Sequence, residues 1–221
     1  MNDLHSRELM REHVTRWATL SDTQWQMLSG IFHVREVGPK TQLATPGSTR
    51  HELFFVNRGL LRFYYLSSDG KEINKAFIAE DMFAGPLAAS ALNLPIIYGI
   101  ETLEDTSVLI ADYRDFAELF DRDIVFERVG RKLAEWLLIR KEIRQRSLLQ
   151  QNARQRYLDF AEHHPSMMQR VPQYHIASYL GITEVSLSRL RRSLAEENIS
   201  KHMIRQLSAR CISILLYDIK S

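Results

Sequence analysis

Hydrophobic and polar positions follow different periods in successive parts of the chain. Residues 4–28 carry apolar side chains at helical spacing, with Ser21-Asp22 placed to cap a second helix. From Ile31 to Ala111 the period is that of short strands, and after Ala111 the helical period returns. The pattern therefore predicts a helical N terminus, a central β segment and a helical C-terminal half.

The β segment consists of short runs rich in aromatic and β-branched residues, separated by glycines that favour turns. The runs lie at 32–37, 53–56, 60–66, 73–78, 96–103 and 108–111, and the glycines are Gly38, Gly47, Gly59 and Gly70. Many short strands joined by glycine turns are typical of a barrel or a sandwich.

One long helix is predicted over residues 121–149, with Asp121 as its N-cap. A small β domain cannot bury the whole apolar stripe of so long a helix, so a second copy of the chain is the expected partner. The dimer interface is predicted at the apolar positions Val129, Leu133, Trp136, Leu137 and Ile143.

Residues 171–194 have the spacing of a helix-turn-helix. Ala177 and Leu180 belong to a first short helix, which Gly181 ends because glycine adopts a left-handed conformation at little cost. Thr183 can cap a second helix, in which Leu187 packs against Ala177. The sequence predicts two short helices that cross at one glycine turn.

The outer face of that second helix is basic. Val185, Arg189 and Arg192 recur at helical spacing, with Ser186 beside them and Arg191 as a further cation. Such a face can place cations on phosphates and guanidinium groups on guanine edges in a DNA major groove. A surface hairpin with a solvated basic face would have the same pattern, so this alternative stays open.

Composition and charge distribution narrow the possible classes of protein. The chain has 221 residues, 45% hydrophobic and 25% charged, which is typical of a soluble globular protein of one large or two modest domains. The net charge is +2, but residues 1–127 carry −7 and residues 128–221 carry +9. A basic C-terminal half suits a nucleic-acid contact made by one end of the chain only.

Several other classes are not expected. No apolar run has the length of a membrane span, and residues 1–20 are too charged for a secretory signal, so we expect a cytoplasmic protein that makes no contact with a membrane. Cys211 is the only cysteine, and the His163-His164 pair lacks further metal ligands nearby, so we expect no disulfide and no metal site. No nucleophile-base-acid set or phosphate loop occurs, so an enzyme is not expected.

Two sets of motifs resemble the Crp/Fnr superfamily of bacterial transcription regulators, over residues from about 15 to 198. The C-terminal matches to its helix-turn-helix are Val171-Pro172-Gln173, Ala177, Leu180-Gly181, Thr183 and Ser188-Arg189. The N-terminal matches to the turns of its cyclic nucleotide-binding β-roll are Gly38-Pro39-Lys40, Gly47, Asn57-Arg58-Gly59-Leu60-Leu61-Arg62, Asp69-Gly70-Lys71-Glu72 and Glu101-Thr102-Leu103-Glu104-Asp105.

The resemblance implies an α+β chain of three parts. Residues 1–120 would form an effector-sensing double-stranded β-roll, which is a cyclic nucleotide-binding-like jelly roll. Residues 121–150 would form a dimerisation helix, and residues 151–221 a winged helix-turn-helix domain. The protein would then be a homodimeric transcription regulator with a palindromic double-stranded DNA operator, and RNA polymerase would be a further partner.

The predicted DNA contacts lie on and near the second helix of the helix-turn-helix. Arg189 is expected to read guanine, Glu184 to accept from cytosine and Val185 to touch a thymine methyl group. Gln173 and Arg192 are expected nearer the DNA backbone. The full predicted set is Gln173, Thr183, Glu184, Val185, Ser186, Ser188, Arg189 and Arg192.

The chain departs from the resemblance where a cyclic nucleotide would bind. Members that hold cyclic AMP carry a Gly-Glu pair for the ribose and an Arg-Ser pair for the phosphate, but the second pair here falls at Ile97-Tyr98. Since a buried phosphate needs a counter-charge, cyclic AMP is not the expected effector, and no other cofactor is expected. An apolar or aromatic effector, or none, stays possible, with the candidate pocket at Phe63, Phe83, Gly85, Pro86, Ile97 and Tyr98. Core packing is an alternative role for these residues.

Two further points stay open. A small-molecule sensor that signals through a protein partner, with a degraded DNA face, is the alternative to a DNA-binding regulator. The family's β wing would follow Ser200, where the segment 201–210 looks basic and partly helical, and only 211–217 has the apolar run of a strand. Lys201, Arg205 and Arg210 could either contact phosphates or solvate the surface.

Overall fold

The computed structural model describes residues 3–196, which divide into two compact units between Ile143 and Arg144. The helices of the first unit are α1 (Asp3–Thr15), α2 (Asp22–Gly30), α3 (Leu87–Leu92), α4 (Tyr113–Glu118), the single 3-10 turn Leu119–Asp121, and α5 (Ile124–Gln150), whose last residues belong to the second unit. Its strands are β1 (His33–Val37), β2 (Gln42–Ala44), β3 (Glu52–Arg58), β4 (Leu61–Leu66), β5 (Glu72–Ile78), β6 (Met82–Ala84), β7 (Gly99–Thr102) and β8 (Thr106–Asp112).

The strands form two antiparallel sheets. The first sheet has the order β1-β8-β3-β6 and the second β2-β7-β4-β5. Register is fixed by pairs such as Val56 with Val108 in the first sheet and Phe63 with Ile100 in the second. These four side chains are buried together in the core between the sheets, because alternate residues of each strand point to that side.

The opposite face of the first sheet is covered by helices. Alternate residues of its strands, including Phe55 and Leu109, pack with Met10 of α1 and Leu28 of α2 in a second core. Ser21 caps α2 in a reciprocal capping box with Gln24, which confirms the cap predicted from the sequence. The helix-covered sandwich, the long helix and the C-terminal helices confirm the α+β class.

The first half of α5 belongs to that second core. Val129 and Leu133 are each only 2% exposed, and they are buried with Phe116, Leu119 and Phe126 of the same chain. Their prediction as dimer-interface residues is therefore wrong, because the unit's own core already covers them. Trp136 and Leu137 are partly buried against this core, whereas Ile143 is 51% exposed.

The second unit contains the end of α5, α6 (Ala153–His163), α7 (Pro165–Arg170), α8 (Gln173–Leu180) and α9 (Glu184–Glu196). Its buried apolar side chains are Phe160, Met167, Val171, Ile176, Ala177, Leu180 and Leu187. The end of α6 before Pro165 follows the prediction, since the residue before proline avoids helical dihedrals. The predicted wing, with Lys201, Arg205, Arg210 and the apolar segment 211–217, lies outside the described residues.

Candidate nucleic-acid interface and effector site

The turn between α8 and α9 is closed by glycine, as the sequence predicts. Gly181 has φ +69°, which is the left-handed conformation. Its N–H donates to Ser178 O at 3.1 Å, and the next N–H, of Ile182, donates to Ala177 O at 3.0 Å. These two bonds form a Schellman motif that satisfies the last carbonyls of α8 and reverses the chain towards α9.

Thr183 begins the second helix. Its Oγ1 accepts a hydrogen bond from Ser186 N–H at 3.1 Å, which is the N-cap interaction predicted for it. The backbone oxygen of Thr183 accepts from Leu187 N–H at 2.9 Å. Ala177 on α8 and Leu187 on α9 are each 1% exposed and the two helices pack together, as the predicted packing requires.

The outer side of α9 is open to solvent. Arg189, Arg191 and Arg192 are all exposed, and Val185 is 60% exposed. Every residue in the predicted DNA-contact set is exposed, from Gln173 in the first turn of α8 to Arg192 on α9. The structure thus brings the set together on α9, its cap and the start of α8, while their roles towards DNA stay predictions.

Two arginines outside α8 and α9 contact the C-terminal end of α8, and the sequence patterns predicted neither contact. Arg156 on α6 donates from Nε to Leu180 O at 2.9 Å and from a terminal nitrogen to Gln151 O. Arg144 lies with its guanidinium carbon 3.8 Å from the ring centroid of Tyr179 and donates to the carbonyl of Tyr179. Neither contact has a local sequence signal, because each joins segments that are far apart along the chain.

Only some of the residues predicted for the effector pocket lie close together in the structure. Phe63 and Tyr98 lie together, with ring centroids 5.6 Å apart, and the Tyr98 hydroxyl donates to Gly85 O at 3.4 Å. Pro86 follows Gly85 directly and precedes α3. Ile97 is 69% exposed, so it is not a core residue, and its place in the effector pocket stays a prediction.

Phe83 lies on the other side of the first sheet. Its ring centroid is 4.9 Å from that of Phe55 and 5.5 Å from those of His13 and Trp17. The prediction that Phe83 shares a pocket with Phe63 is therefore wrong, because neighbouring strand residues alternate faces and Phe83 points to the helix-covered core.

A cation missed by the sequence reasoning stands beside Tyr98. The pairing of β4 with β5 matches Phe63 to Ala76 and Tyr64 to Asn74, so Lys75 is the extra residue of a β-bulge. Its Nζ lies 3.7 Å from the ring centroid of Tyr98. Burial lowers the pKa of Lys75 to about 8, helped by the charge of Lys141 on α5.

The outer face of the second sheet carries a buried charge network. Arg62 on β4, with only 4% of its side chain exposed, donates from Nε to Glu101 Oε1 at 2.9 Å and pairs with Glu72 Oε2 at 2.6 Å. Its guanidinium also lies 4.3 Å from the ring centroid of Tyr64, whose hydroxyl donates to Gln42 at 3.1 Å. The sequence signals only a turn near Arg62, since its two acidic partners come from two other strands, β5 and β7.

Comparison with known proteins agrees with these features. The family model for the cyclic nucleotide-binding domain matches residues 34–123. No curated protein sequence matches the chain significantly.

Among the helices in the described part of the chain, none is both long and apolar enough to cross a membrane.

Solved structures share the fold at low sequence identity. A transcriptional regulator of the Crp/Fnr family from Eubacterium rectale aligns with TM-score 0.67 and 17% identity, covering 85% of this chain and 89% of its own. FixK2 from Bradyrhizobium japonicum aligns with TM-score 0.64 and 20% identity, covering 76% and 87%. A CooA mutant from Carboxydothermus hydrogenoformans aligns with TM-score 0.59 and 23% identity, covering 77% and 79%. Residues 34–123 therefore match the cyclic nucleotide-binding domain, and the chain shares its fold with a solved regulator of the Crp/Fnr family.

Proposed function

We propose that the protein is a homodimeric, sequence-specific DNA-binding transcription regulator of the Crp/Fnr type. The observation that carries the proposal is the capped helix-turn-helix of α8 and α9, which exposes Arg189, Arg191 and Arg192. A recognition helix must be fixed to its neighbouring helix and must present an outward face rich in hydrogen-bond donors. In α9 the capped turn provides the first and the exposed arginines the second.

In the proposed complex α9 lies in the major groove. The Arg189 guanidinium reads the O6 and N7 atoms of a guanine, Glu184 accepts from a cytosine amino group, and Val185 contacts a thymine methyl group. Arg192 and Gln173 contact phosphates, which position the helix without reading sequence. Ser186 and Ser188 lie exposed between these residues and can donate to base edges or phosphates.

The proposed homodimer forms through α5. Leu138 is 58% exposed and Ile143 is 51% exposed, so large apolar side chains stand in solvent on the half of the helix that its own core does not cover. A two-fold dimer would present two copies of α9 to a palindromic operator. RNA polymerase is a proposed partner of the DNA-bound dimer, and the protein acts in the cytoplasm without catalysing a reaction.

Selection of bound sequences from a random duplex library at physiological salt tests the proposal. We expect a two-fold symmetric site, bound about 10³-fold or more tightly than scrambled DNA, with an affinity that falls steeply as salt increases. Arg189→Ala should weaken the preference for one guanine by about 1–3 kcal/mol. Arg35→Ala is the matched control, because Arg35 is an exposed arginine on β1, outside the helix-turn-helix.

Two results would count against this function. Failure to enrich any site, with only weak binding to all DNA, would favour a sensor that signals through a protein partner. If the Arg189→Ala variant kept the sequence preference of the unchanged protein, a residue other than Arg189 would recognise the bases.

A further inference from the structure

The buried face of α1 is only half apolar. Among the described side chains of this helix four are buried, and two of them, Met10 and Val14, belong to the core that α1 shares with the first sheet. The other two are Ser6 and His13, which are 0% and 8% exposed. The four positions follow the spacing i, i+4, i+7 and i+8, so polar and apolar side chains share one face of the helix.

Polar atoms at the contact between the helices and the first sheet are buried without partners. Among the side chains that the structure describes, Ser6 Oγ and His13 Nδ1 have no hydrogen-bond partner. The same holds for both amide atoms of Asn57 on β3 and for Ser107 Oγ on β8. Each of these two strand residues lies two positions from a member of the helix-covered core, so its side chain points to the same side of the sheet.

His13 and Asn57 belong to the same part of this contact. The imidazole of His13 makes a hydrogen bond with the main chain of Asp81 and lies with its ring centroid 5.8 Å from that of Phe55 on β3. The N–H of Asp81 donates to Val56 O at 2.9 Å, and Asn57 is the next residue of β3. The end of α1 that carries His13 therefore lies over the polar end of β3.

These atoms make α1 easier to release than an apolar helix would be. Water would satisfy each of them if the helix left the sheet, so each favours the released helix relative to an apolar side chain of the same size. The other polar contacts of α1 lie in partly exposed places, where water can replace the partner. They are the ion pair of Arg11 with Asp22 at 2.6 Å and the hydrogen bond from Arg7 to Phe32 O at 2.8 Å.

We propose that α1 is a releasable cover of the first sheet, which opens as a unit while the sheet stays folded and opens further when His13 takes up a proton. The hinge is the segment 16–21 between α1 and α2. Opening brings water to the buried polar atoms and uncovers the aromatic side chains of Phe55 and Phe83, which the ring of His13 contacts in the closed form. The opening concerns the first unit alone, so it does not rest on the proposed DNA-binding function.

The surroundings of His13 explain why a proton favours the open form. With one ring nitrogen bonded to the main chain of Asp81, the added proton lies on Nδ1, which meets no acceptor among the described residues. The charged groups that face the ring are Arg16, which opposes protonation, and Asp81, which favours it, while β3 and β6 present the rings of Phe55 and Phe83. Burial and Arg16 outweigh Asp81, so the pKa of His13 in the closed form is below 6.5. Released into water, His13 takes up a proton at about pH 6.5, so the open form gains as the pH falls.

Hydrogen exchange on the full chain without DNA tests the cover. Exchange is followed by mass spectrometry in peptides from α1, β3 and β8, and each rate is compared with the intrinsic rate at the same pH. We expect α1 to be less protected than β3 and β8 at pH 7.5, because it opens without them. Its protection should fall by up to about tenfold between pH 7.5 and pH 5.5, since opening takes up one proton.

Two variants separate the proton from the unpartnered atoms. His13→Phe keeps an aromatic ring and removes the titrating group, so α1 should have the same protection at both pH values. Ser6→Ala removes a buried hydroxyl group without a partner, so the protection of α1 should rise about fivefold or more at both pH values. His5→Ala is the matched control for Ser6→Ala, because His5 is exposed on the same helix and histidine and serine have similar helix propensities.

Four results would overturn the proposal. Protection of α1 equal to that of β3 and β8 would mean that the helix opens only when the whole unit unfolds. Equal protection of α1 at pH 7.5 and pH 5.5, or an unchanged pH dependence in His13→Phe, would remove the proton from the mechanism. A gain in Ser6→Ala no larger than that in His5→Ala would mean that the buried hydroxyl group does not favour release.

Discussion

Arg156 on α6 donates from Nε to the main-chain oxygen of Leu180 at 2.9 Å, at the residue where α8 ends and the helix-turn-helix turns. The last carbonyls of a helix have no partner within the helix, and a cation near them also interacts favourably with the helix dipole. Arg156 thereby joins α6 to the turn that sets the direction of α9.

Replacement of Arg156 by alanine should loosen that turn. We expect the second unit to lose about 1–3 kcal/mol of stability, because the charged donor to the carbonyl of the buried Leu180 is removed. Operator affinity should fall although Arg156 is not in the predicted contact set. Gln169→Ala, at an exposed position on α7, is the control for both chemical denaturation and DNA titration. Unchanged stability and affinity in Arg156→Ala would refute a supporting role.

The buried position of Arg62 leads to a second prediction. Arg62→Met should cost about 3–5 kcal/mol, because Glu101, with 11% of its side chain exposed, is left as an unpaired charge. Adding Glu101→Gln should recover part of the loss, since it removes that charge. Denaturant unfolding of the two single variants and the double variant measures the coupling.

Arg58 provides the matched control for Arg62. It pairs with Glu36 at 3.3 Å on the surface, where both side chains are about half exposed. Arg58→Met should therefore cost no more than about 1 kcal/mol. Similar losses in Arg58→Met and Arg62→Met would mean that burial does not determine the contribution of Arg62.

His13 makes stability depend on pH. Burial lowers the pKa of its imidazole below 6.5, the nearby Arg16 lowers it further, and Asp81 opposes them. Its Nδ1 is buried without a hydrogen-bond partner. Below about pH 6.5 the unfolded chain takes up a proton that the folded chain resists, so the free energy of unfolding should decrease as the pH falls.

Replacing His13 by phenylalanine isolates this contribution. The imidazole ring contacts the rings of Trp17, Phe55 and Phe83, so the aromatic ring of phenylalanine should pack in its place. Denaturant unfolding between pH 7.5 and 5 should show a shallower loss of stability in this variant than in the unchanged protein. His33→Phe, at an exposed position on β1, should keep the original slope. An identical slope in His13→Phe would assign the acid sensitivity to other groups.

The parts of the structure that were predicted correctly are those with local signals. The turn at Gly181 and the cap at Thr183 are formed by hydrogen bonds between residues at most five positions apart, so the local sequence is enough to predict the helix-turn-helix. The capping of α2 by Ser21 is of the same kind. Short strands such as β2 and β6 have too few residues to show a period, and the sequence prediction omitted them.

The errors concern which neighbour covers a given face. Phe83 and Val129 are both correctly apolar, but the first was assigned to the wrong side of a sheet and the second to a partner instead of its own core. Arg62 and Lys75 were missed because their surroundings are built by pairing between strands, including a one-residue bulge. Periodicity shows that a face is buried, and only the tertiary structure shows what buries it.

Leu138 is the residue on α5 at which the proposed dimer can be tested most directly. It is 58% exposed and lies one turn after the exposed Ala134, beyond the part of the helix that Val129 and Leu133 anchor in the core. A glutamate there should prevent burial against a second copy without disturbing the unit's own core, because an interface cannot readily bury unpaired charges. Light scattering should show the dimer mass for the unchanged protein and the monomer mass for Leu138→Glu at micromolar concentration.

Ile124→Glu is the control for Leu138→Glu, since Ile124 is a 68% exposed apolar residue at the start of the same helix, and this variant should stay dimeric. Leu138→Glu should also lose most of its affinity for a full palindrome, because each half-site is then bound separately, while its affinity for a single half-site changes little. A dimeric Leu138→Glu with full operator affinity would show that the two copies associate through another surface. The comparison of full and half sites distinguishes lost pairing of the two copies from damage to α9, which would weaken both equally.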